Sequence, residues 1–597
     1  MLILPLLLAL QGSPIQLEKR VPPPTERPSH APSPSSGPNL IKRGPFVSIQ
    51  VNVDAQGGNK KGDAANEPSI AIDPTNPKRI AIGWRQFDTI RSSFRKNGWS
   101  YSKDGGKTWA AGATIQNNLF NSDPVLDTDL GGKFYYLSYP GGRTLKLFRS
   151  SNGAQSWTGP TFLTGGDKAW MLVDKSASIG KGNIYVIWQV LHGPNTFVRS
   201  TNGGVSFQGP YAVTNWPTFG TMAQDSSGTL YAFGLRRQSF GTFVLNKSTN
   251  AKDKTKRPTF SSTFVNMGGR MAFSKTPNPQ GLLGQAQVVV DPSRKGYVYM
   301  LCSVDPSGSD PMDVHFVRST NGGRTFSAPV RVNDDSRTNG AWQWHGTISV
   351  APNGRIDVVW NDTRNGRGNA LLSETFYSYS YDAGKTWSKN VPIGPQWNSS
   401  LGWPRQRKIG DYYEGISDKA AMNLAYATTY NGEQDVYFIR LGDCNNNGVH
   451  DGIDIRNGTS FDANKNTIPD ECEFCQTDLG FGGGTLKLSV CGDDLTKAGS
   501  RASLDVQGGP KNQPVVLLLS VGRLNPPVKM PFGGSLVPDI IRSPNVIFTG
   551  YRTNSKGHVG ATWKGASTNL LTLYAQAVQV KGLRVLLSNA LKIRIGR

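Results

Sequence analysis

The sequence lacks the features of a membrane protein or a helical protein. Beyond the run Leu2–Leu10, no apolar stretch is long enough to span a bilayer. It also has no long helical periodicity, whereas 69 Gly, 14 Trp and many short apolar runs predict strands joined by tight turns. We therefore predict an all-β chain. Its 597 residues are too many for one hydrophobic core and predict three or four folding units.

Acidic residues are scarce relative to basic ones: 42 Asp and Glu stand against 65 Lys and Arg, a formal net charge of +23. The basic residues are scattered, and no basic run is interleaved with aromatic residues, which argues against a nucleic-acid partner. A solvated basic surface is the simplest interpretation. If the charge were focused on one face, it would attract anionic glycans or an acidic envelope surface.

The N-terminus resembles an export signal. A short apolar run is followed by the small residues Gly12 and Ser13, so we predict a signal peptide over residues 1–13. The run lacks a basic flank, and a mis-called start codon or a membrane-anchored beginning stays open as an alternative. Residues 14–45 are rich in Pro and Ser and predict a linker. The protein is thus expected to be secreted or held in the cell envelope.

A short motif, Ser-x-Asp/Asn-x-Gly-x-Thr/Ser-Trp/Phe, recurs along the chain. Its copies begin at Ser102, Ser150, Ser200, Ser248, Ser319 and Ser380, and a basic insertion interrupts the fourth of them. The Asp or Asn side chain can accept hydrogen bonds from backbone N–H groups of its own turn, Gly permits positive φ, and the aromatic residue packs beneath the sheet. The motif therefore predicts a structural turn repeated once per four-stranded unit.

These copies resemble the Asp-boxes, or BNR repeats, of the sialidase-like β-propellers over about residues 46–442. The resemblance implies a propeller in which each box joins the third and fourth strands of a blade, on the face opposite the active site. Six units follow from the strand pattern, and a seventh, after the last box, has only three strands. We predict that Ile49–Asn52 supplies its fourth strand. Seven blades are expected, with six as the alternative.

The channel face is the predicted binding site. Aligning the units places Glu67, Asp123, Lys168, Phe219, Gln285, His345 and Tyr412 where the chain enters the inner strands. The resemblance to sialidases implies an arginine clamp for a carboxylate, a tyrosine nucleophile paired with a glutamate, and an aspartate acid or base. The residues that match these roles are Arg85, Arg236 or Arg237, and Arg364 for the clamp; Tyr413 with Glu414 for the nucleophile; and Asp88 or Asp123 for the acid.

Each of these residues also has a structural interpretation. Arg364 can tie a loop by a salt bridge, Tyr413 can be a packed aromatic residue, and His345 can simply be buried. The Arg-Ile-Pro segment of sialidases is missing. We predict a secreted monomer that binds, and in one version hydrolyses, glycans or another anionic extracellular ligand. The alternative is a scaffold or adhesion protein without catalysis.

Two Asn-rich loops follow the predicted propeller, within residues 443–476. Their spacing resembles the calcium loops of thrombospondin type 3 repeats and dockerins, in which alternate oxygen ligands converge on one cation. The ligands predicted for a structural calcium are Asp443, Asn445, Asn447, Val449, Asp451 and Asp454 in the first loop, and Asp462, Asn464, Asn466, Ile468, Asp470 and Glu473 in the second. Two turns without metal are the alternative.

Four of the five cysteines lie near these loops, and the last domain follows them. Cys444, Cys472, Cys475 and Cys491 predict two disulfides with three possible pairings, or a zinc site. The Asp and Asn residues around them favour a harder cation than zinc. Residues 477–597, with short apolar runs separated by Gly and Pro, predict a C-terminal β-sandwich.

Overall fold

The computed structural model describes residues 33–34, 40–189, 195–215, 217–236, 241–542, 546–565 and 569–596. The predicted signal peptide and most of the predicted linker lie outside these residues. The described chain is nearly all β, as predicted, with one α-helix, α1 (Asp451–Asn457), and one 3-10 helix, Asp470–Cys472. Neither of these helices has the length and hydrophobicity that a membrane span requires.

Four short strands come first: β1 (Ser33–Pro34), β2 (Leu40–Arg43), β3 (Phe46–Gln50) and β4 (Lys60–Lys61). The range predicted as a linker contains strand β2. This strand pairs with β3 and becomes part of a sheet. Strand β1 pairs with β4.

Four sheets of four antiparallel strands follow in chain order. Sheet 1 is β5 (Ala64–Ile72), β6 (Ile80–Phe87), β7 (Lys96–Ser102) and β8 (Ala113–Thr114). Sheet 2 is β9 (Ser122–Thr128), β10 (Phe134–Tyr139), β11 (Thr144–Ser150) and β12 (Thr158–Thr164). Sheet 3 is β13 (Trp170–Val173), β14 (Ile184–Ile187), β15 (Asn195–Ser200) and β16 (Gln208–Ala212). Sheet 4 is β17 (Pro217–Gln224), β18 (Leu230–Arg236), β19 (Phe243–Ser248) and β20 (Ser261–Val265).

Three larger sheets complete this region. Sheet 5 contains β21 (Gly269–Met271), β24 (Gln287–Val290), β25 (Val298–Pro306), β26 (Asp313–Ser319) and β27 (Val330–Arg331), and a hairpin of β22 (Phe273–Lys275) and β23 (Asn278–Leu282) interrupts its chain order. Sheet 6 contains β28 (Gln343–Val350), β29 (Ile356–Asp362), β30 (Leu372–Ser380), β31 (Val391–Pro392) and β32 (Trp397–Asn398). Sheet 7 joins β33 (Glu414–Ser417), β34 (Met422–Thr428) and β35 (Asp435–Leu441) to β3 and β2.

The N-terminal segment completes sheet 7, as the sequence predicted. Ile49 pairs with Phe438 and Gln50 with Tyr437, and the N–H of Val51 donates to the carbonyl of Val436 at 2.8 Å. The first and last strands of the region thus share one sheet. This pairing covers an edge of β35 that would otherwise be exposed.

The innermost strands contact one another in a closed cycle. They are β5, β9, β13, β17, β24, β28 and β33, and the last of these packs against the first. Because each sheet is covered by neighbours on both faces, its second strand is almost entirely buried; all eight residues of β6 are buried, for example. The arrangement is consistent with a β-propeller.

Side chains connect six of the seven pairs of neighbouring inner strands. In each case a side-chain oxygen of one inner strand accepts a backbone N–H of the next, and we call these contacts the latches. They are Ser69 with Leu126 (2.8 Å), Asp127 with Val173 (2.7 Å), Thr221 with Val288 (3.0 Å), Gln287 with Ile348 (2.9 Å), Ser349 with Ser417 (2.9 Å) and Glu414 with Ile70 (3.0 Å). The latch of Glu414 closes the cycle between sheets 7 and 1.

Each copy of the repeated motif begins at the last residue of a third strand and leads to the fourth. In the first copy, the Asp104 carboxylate accepts the Thr108 N–H at 3.0 Å, and the Ser102 hydroxyl oxygen accepts the Gly106 N–H at 2.9 Å. Gly106 has φ of +88°, and a Cβ there would collide with the ring of Phe438. The same Asp or Asn contact recurs in the other copies, at Asn152, Asn202, Asn250, Asn321 and Asp382.

From Phe474 onward the strands form two facing sheets. One contains β36 (Phe474–Cys475), β38 (Lys487–Gly492), β39 (Arg501–Gln507) and β44 (Val559–Lys564). The other contains β37 (Thr477–Gly480), β40 (Pro514–Ser520), β43 (Val546–Arg552), β45 (Leu571–Lys581), β46 (Arg584–Leu587) and β47 (Ala590–Ile595), and a hairpin of β41 (Arg523–Lys529) and β42 (Ser535–Pro538) lies beside it. Leu488, Leu504, Leu517 and Ile593 belong to one buried cluster that both sheets share.

Two disulfides select one of the three pairings that the sequence left open. Cys444 bonds to Cys472 and thereby joins the two Asn-rich loops, whereas Cys475 bonds to Cys491 and joins β36 to β38. The rival zinc site has no basis in this geometry, because all four thiols are consumed. Cys302 is free and buried.

Candidate functional site on the channel axis

The inner strands begin at a repeated backbone feature. Five of the seven residues that the sequence placed at these positions have positive φ: Glu67 (50°), Asp123 (48°), Lys168 (53°), Phe219 (55°) and His345 (57°). Left-handed backbone is uncommon for such residues, and in four of these strands the pairing with the second strand shifts register there, as at a β-bulge. Five sheets thus share one conformation at the channel.

Six ionisable residues meet at this end of the ring, and we call them the axial cluster. Its members are Glu67, Arg85, Asp123, Lys168, Lys408 and Asp411. Three of them are acidic and three are basic, and every one of these side chains is at most 6% exposed. Buried charges are tolerated when they are paired, so the balance of signs explains how the cluster survives burial.

Asp411 is the centre of the cluster. One carboxylate oxygen accepts from the ammonium groups of Lys168 and of Lys408, the latter at 2.6 Å, and the other accepts the Leu282 N–H at 2.8 Å. Lys168 precedes the inner strand of sheet 3, whereas Asp411 precedes that of sheet 7. Because sheets 1 and 2 stand between them, this contact crosses the interior of the ring.

The segment around Asp411 is held from several directions. Asn278 accepts the Ile409 N–H at 3.0 Å and donates to the Gly410 carbonyl at 2.7 Å. The Tyr412 hydroxyl donates to the Pro124 carbonyl at 2.9 Å, next to Asp123 of sheet 2. Residues 408–412 therefore form a plug that bridges sheets across this end of the channel.

The pKa values of the acids follow from burial and the neighbouring cations. Burial raises the pKa of Glu67, although Arg85, at 3.2 Å, and the two lysines oppose the shift. Burial acts in the same direction on Asp411, but Lys168 and Lys408 outweigh it and hold the pKa of Asp411 well below its usual range. Asp411 is thus an anion that pairs with two ammonium groups.

His345 lies beside this cluster and is uncharged at neutral pH. Burial lowers its pKa to about 4. Its Nε2 is 3.1 Å from the Leu282 carbonyl, so this nitrogen carries the proton and donates. The ring packs edge-on against Tyr413 and beside Trp344, and Nδ1 has no hydrogen-bond partner among the described residues.

The structure separates Tyr413 from Glu414, which the sialidase resemblance pairs. The Tyr413 hydroxyl donates to the Ala427 carbonyl at 2.5 Å and accepts from the Asn361 amide at 3.1 Å. The side chain is fully buried, and burial raises its pKa far above the usual range. Glu414 instead accepts from the Ser69 hydroxyl and the Ile70 N–H, and burial raises its pKa to about 7. Neighbouring residues of an extended chain point to opposite sides, which explains the separation.

The arginines of the predicted clamp lie apart from one another. Arg85 pairs with Glu67 inside the axial cluster, whereas Arg364 binds Asp334 at 2.5 Å and Asp362 at 2.8 Å. The Arg236 guanidinium lies over the ring of Phe264. Arg237 lies outside the described residues. Asp88, one of the two predicted acids, pairs with Lys96 at 2.8 Å, and Asp123 accepts from Ser122 at 2.5 Å.

A small recess opens beside the plug. Its walls come from sheets 3 and 4 and include Lys168, Trp188, Gln189, Phe219 and Phe233. Trp188 and Phe219 are themselves only about 5% and 4% exposed. Packed aromatic rings therefore form much of its wall.

Two residues of this site escaped the sequence analysis as candidates. Neither Asp411 nor Lys408 was singled out there. Both lie in the long connection between β32 and β33, which carries no repeated motif. The one available signal was the set of aligned positions, which included their partner Lys168.

The two Asn-rich loops have matching geometry. Three contacts of the first loop have a counterpart in the second. Gly448 and Thr467 donate their N–H groups to Asp443 and Asp462, and Cys444 and Ala463 donate theirs to Asp451 and Asp470. The side-chain amides of Asn447 and Asn466 donate to Asp454 and Glu473. Positive φ recurs at Asn446 and Lys465 and again at Gly448 and Thr467. The loops thus share one curled backbone.

The acidic side chains of the loops are crowded, and burial changes the pKa values of two of them. Burial raises the pKa of Asp451 and that of Glu473 to about 7. Among the described residues, no three His, Cys, Asp or Glu side chains are gathered as a metal centre. Half of the predicted ligands are instead Asn amides and backbone carbonyls. A half-turn of the Asn447 or Asn466 amide would present its oxygen where its nitrogen now donates.

The first loop is anchored to sheet 6 through His450. This side chain is fully buried, with the Tyr377 hydroxyl 3.0 Å from Nε2 and the Tyr381 hydroxyl 2.7 Å from Nδ1. His450 also caps α1, since Nδ1 accepts the Gly452 N–H at 3.1 Å. The loop segment and the ring of sheets therefore form a packed junction.

No family model matches the chain, and no curated protein matches it. Among solved structures, it is similar to a protein of unknown function from Dyadobacter fermentans at 14% identity, over 68% of this chain and 99% of that one, with a TM-score of 0.38. It is similar to Trypanosoma rangeli sialidase at 11% identity, over 94% and 93% of the two chains, with a TM-score of 0.33. A Fusarium graminearum α-L-arabinofuranosidase matches at 13% identity, over 46% and 92%, with a TM-score of 0.29. At these identities and TM-scores the likeness carries no argument about residues or activity.

Proposed function

We propose that this protein is a secreted, seven-bladed β-propeller that binds or scaffolds extracellular partners and does not hydrolyse glycosides by the sialidase mechanism. The observation that carries the proposal is the plug, in which Asp411 joins Lys168 and Lys408 across the ring. Its charges are balanced and buried, so they neutralise one another. Lys168 is the one member of the axial cluster that lines the recess beside the plug, and its ammonium group is bound to Asp411.

The chemistry of the predicted nucleophile supports the same conclusion. A tyrosine nucleophile needs an accessible hydroxyl and a base that takes its proton. The Tyr413 hydroxyl is fully buried and donates to a backbone carbonyl, and Glu414 is occupied as a latch. A clamp for a carboxylate needs arginines that converge, whereas Arg85 and Arg364 are each neutralised by separate aspartates or glutamates.

The seven-blade count is supported by seven sheets whose inner strands pack in one cycle, with the N-terminal strand completing the last. Secretion is supported by the two disulfides, which form in oxidising compartments. Two facing sheets with one shared core support a C-terminal β-sandwich. The matched geometry of the two loops supports a calcium ion in each, held by the carboxylates, the Asn amide oxygens and the carbonyls of Val449 and Ile468. Such ions would stiffen the junction beside His450.

Release of product from a fluorogenic sialoside tests the proposal. We expect no release above the uncatalysed rate from the wild-type protein, and none from Tyr413→Phe. The matched control is Tyr426→Phe, which removes another fully buried tyrosine hydroxyl outside the predicted site. Turnover that Tyr413→Phe abolishes and Tyr426→Phe retains would show that the enzymatic alternative is right.

A further inference from the structure

The fourth copy of the repeated turn differs from the others by an insertion. In five copies the Asp or Asn accepts an N–H four residues ahead, whereas Asn250 accepts that of Thr259, nine residues ahead, at 2.9 Å. The turn thus keeps its lock while extra residues loop out. We call residues 252–257 the basic insert, because they contain Lys252, Lys254, Lys256 and Arg257 with a single acid, Asp253.

The basic insert is ordered by one buried side chain of the neighbouring sheet. Arg199, 1% exposed, donates to the carbonyl oxygens of Ala251 at 2.7 Å and Asp253 at 2.6 Å through Nη1. Its Nη2 donates to those of Lys254 at 3.2 Å and Lys256 at 2.7 Å. Four backbone carbonyls therefore surround one guanidinium. Of the insert's own cations, Lys252 donates to the Ser227 carbonyl and the Arg257 guanidinium lies over the ring of Tyr211.

The insert presents its cations to solvent. Lys254, Lys256 and Arg257 are exposed, and the exposed Lys181 lies in the adjacent turn, where Gly180 contacts Lys252. Asp253 is occupied within the insert by the Thr255 N–H and hydroxyl and by Lys256 at 3.4 Å. The acids of the two flanking turns, Asp174 and Asp225, accept from their own turns and from tyrosine hydroxyls. Uncompensated positive charge is left on a fixed loop.

We infer that the basic insert is a binding site for a linear acidic polysaccharide. The inference rests on the secretion that is part of the proposed function, since a secreted protein meets such polymers. A fixed group of exposed cations suits the repeated carboxylate or sulfate groups of these chains. Nucleic acid is disfavoured because no exposed aromatic residue in the insert can stack on a base. A lipid surface is disfavoured because Ile179 is the one exposed large apolar side chain in the turn that Lys252 contacts.

This site lies at the end of the sheets opposite the plug. Ser248 pairs with Leu230, which pairs with Gln224, the last residue of β17, whereas Phe219 of the channel end lies near the start of that strand. The inference therefore does not depend on the channel, and it adds a partner class to the proposed function.

Binding of the full-length protein to immobilised heparin and polygalacturonate tests the inference. The triple variant Lys254→Ala/Lys256→Ala/Arg257→Ala should weaken binding by about tenfold or more, because it removes three of the cations that would pair with the polymer. The matched control is Lys107→Ala/Arg324→Ala/Lys385→Ala, which removes three exposed cations from ordinary copies of the turn. We expect the control to bind within about twofold of wild type, with both variants unfolding at the wild-type temperature.

Three outcomes would overturn the inference. Wild-type protein that does not bind either polymer in 0.1 M salt would do so, as would equal losses in the two triple variants, which would mean diffuse charge. Insert-dependent binding to double-stranded DNA, or to vesicles of phosphatidylglycerol, that is tighter than binding to both polysaccharides would assign the site to another class of partner. The sialoside assay is independent of all three, so failure of one proposal is distinguishable from failure of the other.

Discussion

The two ends of the ring of sheets treat charge in opposite ways. At the channel end, three acids and three bases are buried together and pair with one another. At the opposite end, the turns use their Asp and Asn side chains to hold backbone N–H groups, and lysines and arginines are left exposed. A count of charged residues therefore says little about binding, because buried charges must be paired at one end, whereas solvent stabilises unpaired charges at the other.

The largest loss of stability is expected from removing the carboxylate at the centre of the axial cluster. Asp411→Asn leaves Lys168 and Lys408 without the carboxylate that they share, so we expect the free energy of unfolding to fall by about 3–5 kcal/mol. Urea denaturation measures the loss. The control is Asp88→Asn, which breaks a partly exposed pair with Lys96 and should cost no more than about 1 kcal/mol. Equal effects from both variants would mean that the cluster is not structurally important.

Removing calcium tests whether a bound cation balances the acidic side chains of the two Asn-rich loops. With free calcium at about 100 times the dissociation constant, binding would stabilise the folded state by about 2.7 kcal/mol. We therefore expect a chelator to lower the melting temperature in calorimetry. The double variant Asp454→Ala/Glu473→Ala removes a predicted ligand from each loop and should melt at the same temperature with and without chelator. A wild-type melting temperature indifferent to chelator contradicts the calcium proposal.

A smaller effect is expected at the latch of Glu414, a single half-buried acid. Burial raises its pKa from the ordinary 4.5 to about 7, with Asp127 adding to the shift and Lys175 opposing it. A carboxyl group that binds its proton more tightly when folded stabilises the protein fully below about pH 4.5, and that contribution is lost as the pH rises through about 7. Glu414→Gln keeps an acceptor for Ile70, so we expect it to stabilise the protein relative to wild type by on the order of 2 kcal/mol at pH 8 and little at pH 4.

The reciprocal change gives the control for this latch. Gln287 performs the same contact between sheets 5 and 6 and is 6% exposed. Gln287→Glu should therefore introduce a pH-dependent loss of stability of the same sign, measured by unfolding at pH 4 and pH 8. If neither substitution changes the pH dependence, Glu414 does not titrate in the folded protein as its burial implies.

Several features could be predicted from the sequence because they are local or repeated. The turn locks follow from side chains that contact their own backbone, and the basic insertion in the fourth copy leaves the lock of Asn250 intact. Alignment of the repeats also identified Glu67, Asp123, Lys168, Phe219 and His345 as equivalent, and the structure gives them the same positive φ. The pairing of Ile49 with the last unit followed from the missing strand.

The roles of individual charged residues could not be predicted in this way. Arg364 and Arg85 were candidates for one clamp, but each is neutralised by an acid from a different part of the chain. Lys408 and Asp411 lie in a connection without a motif, and their other partners, Glu67 and Lys168, are distant in sequence. Which charges meet depends on how the sheets curve around the axis.

By itself the sequence determined the repeating turn, the strand-rich composition and the two Asn-rich loops, because each depends on side chains that act on their own neighbourhood. Only the tertiary structure decided that the channel end is plugged, that Tyr413 is buried and that Arg199 orders the basic insert. Those outcomes depend on contacts between residues far apart in the chain, and burial then determines which charges are paired and which are left to solvent.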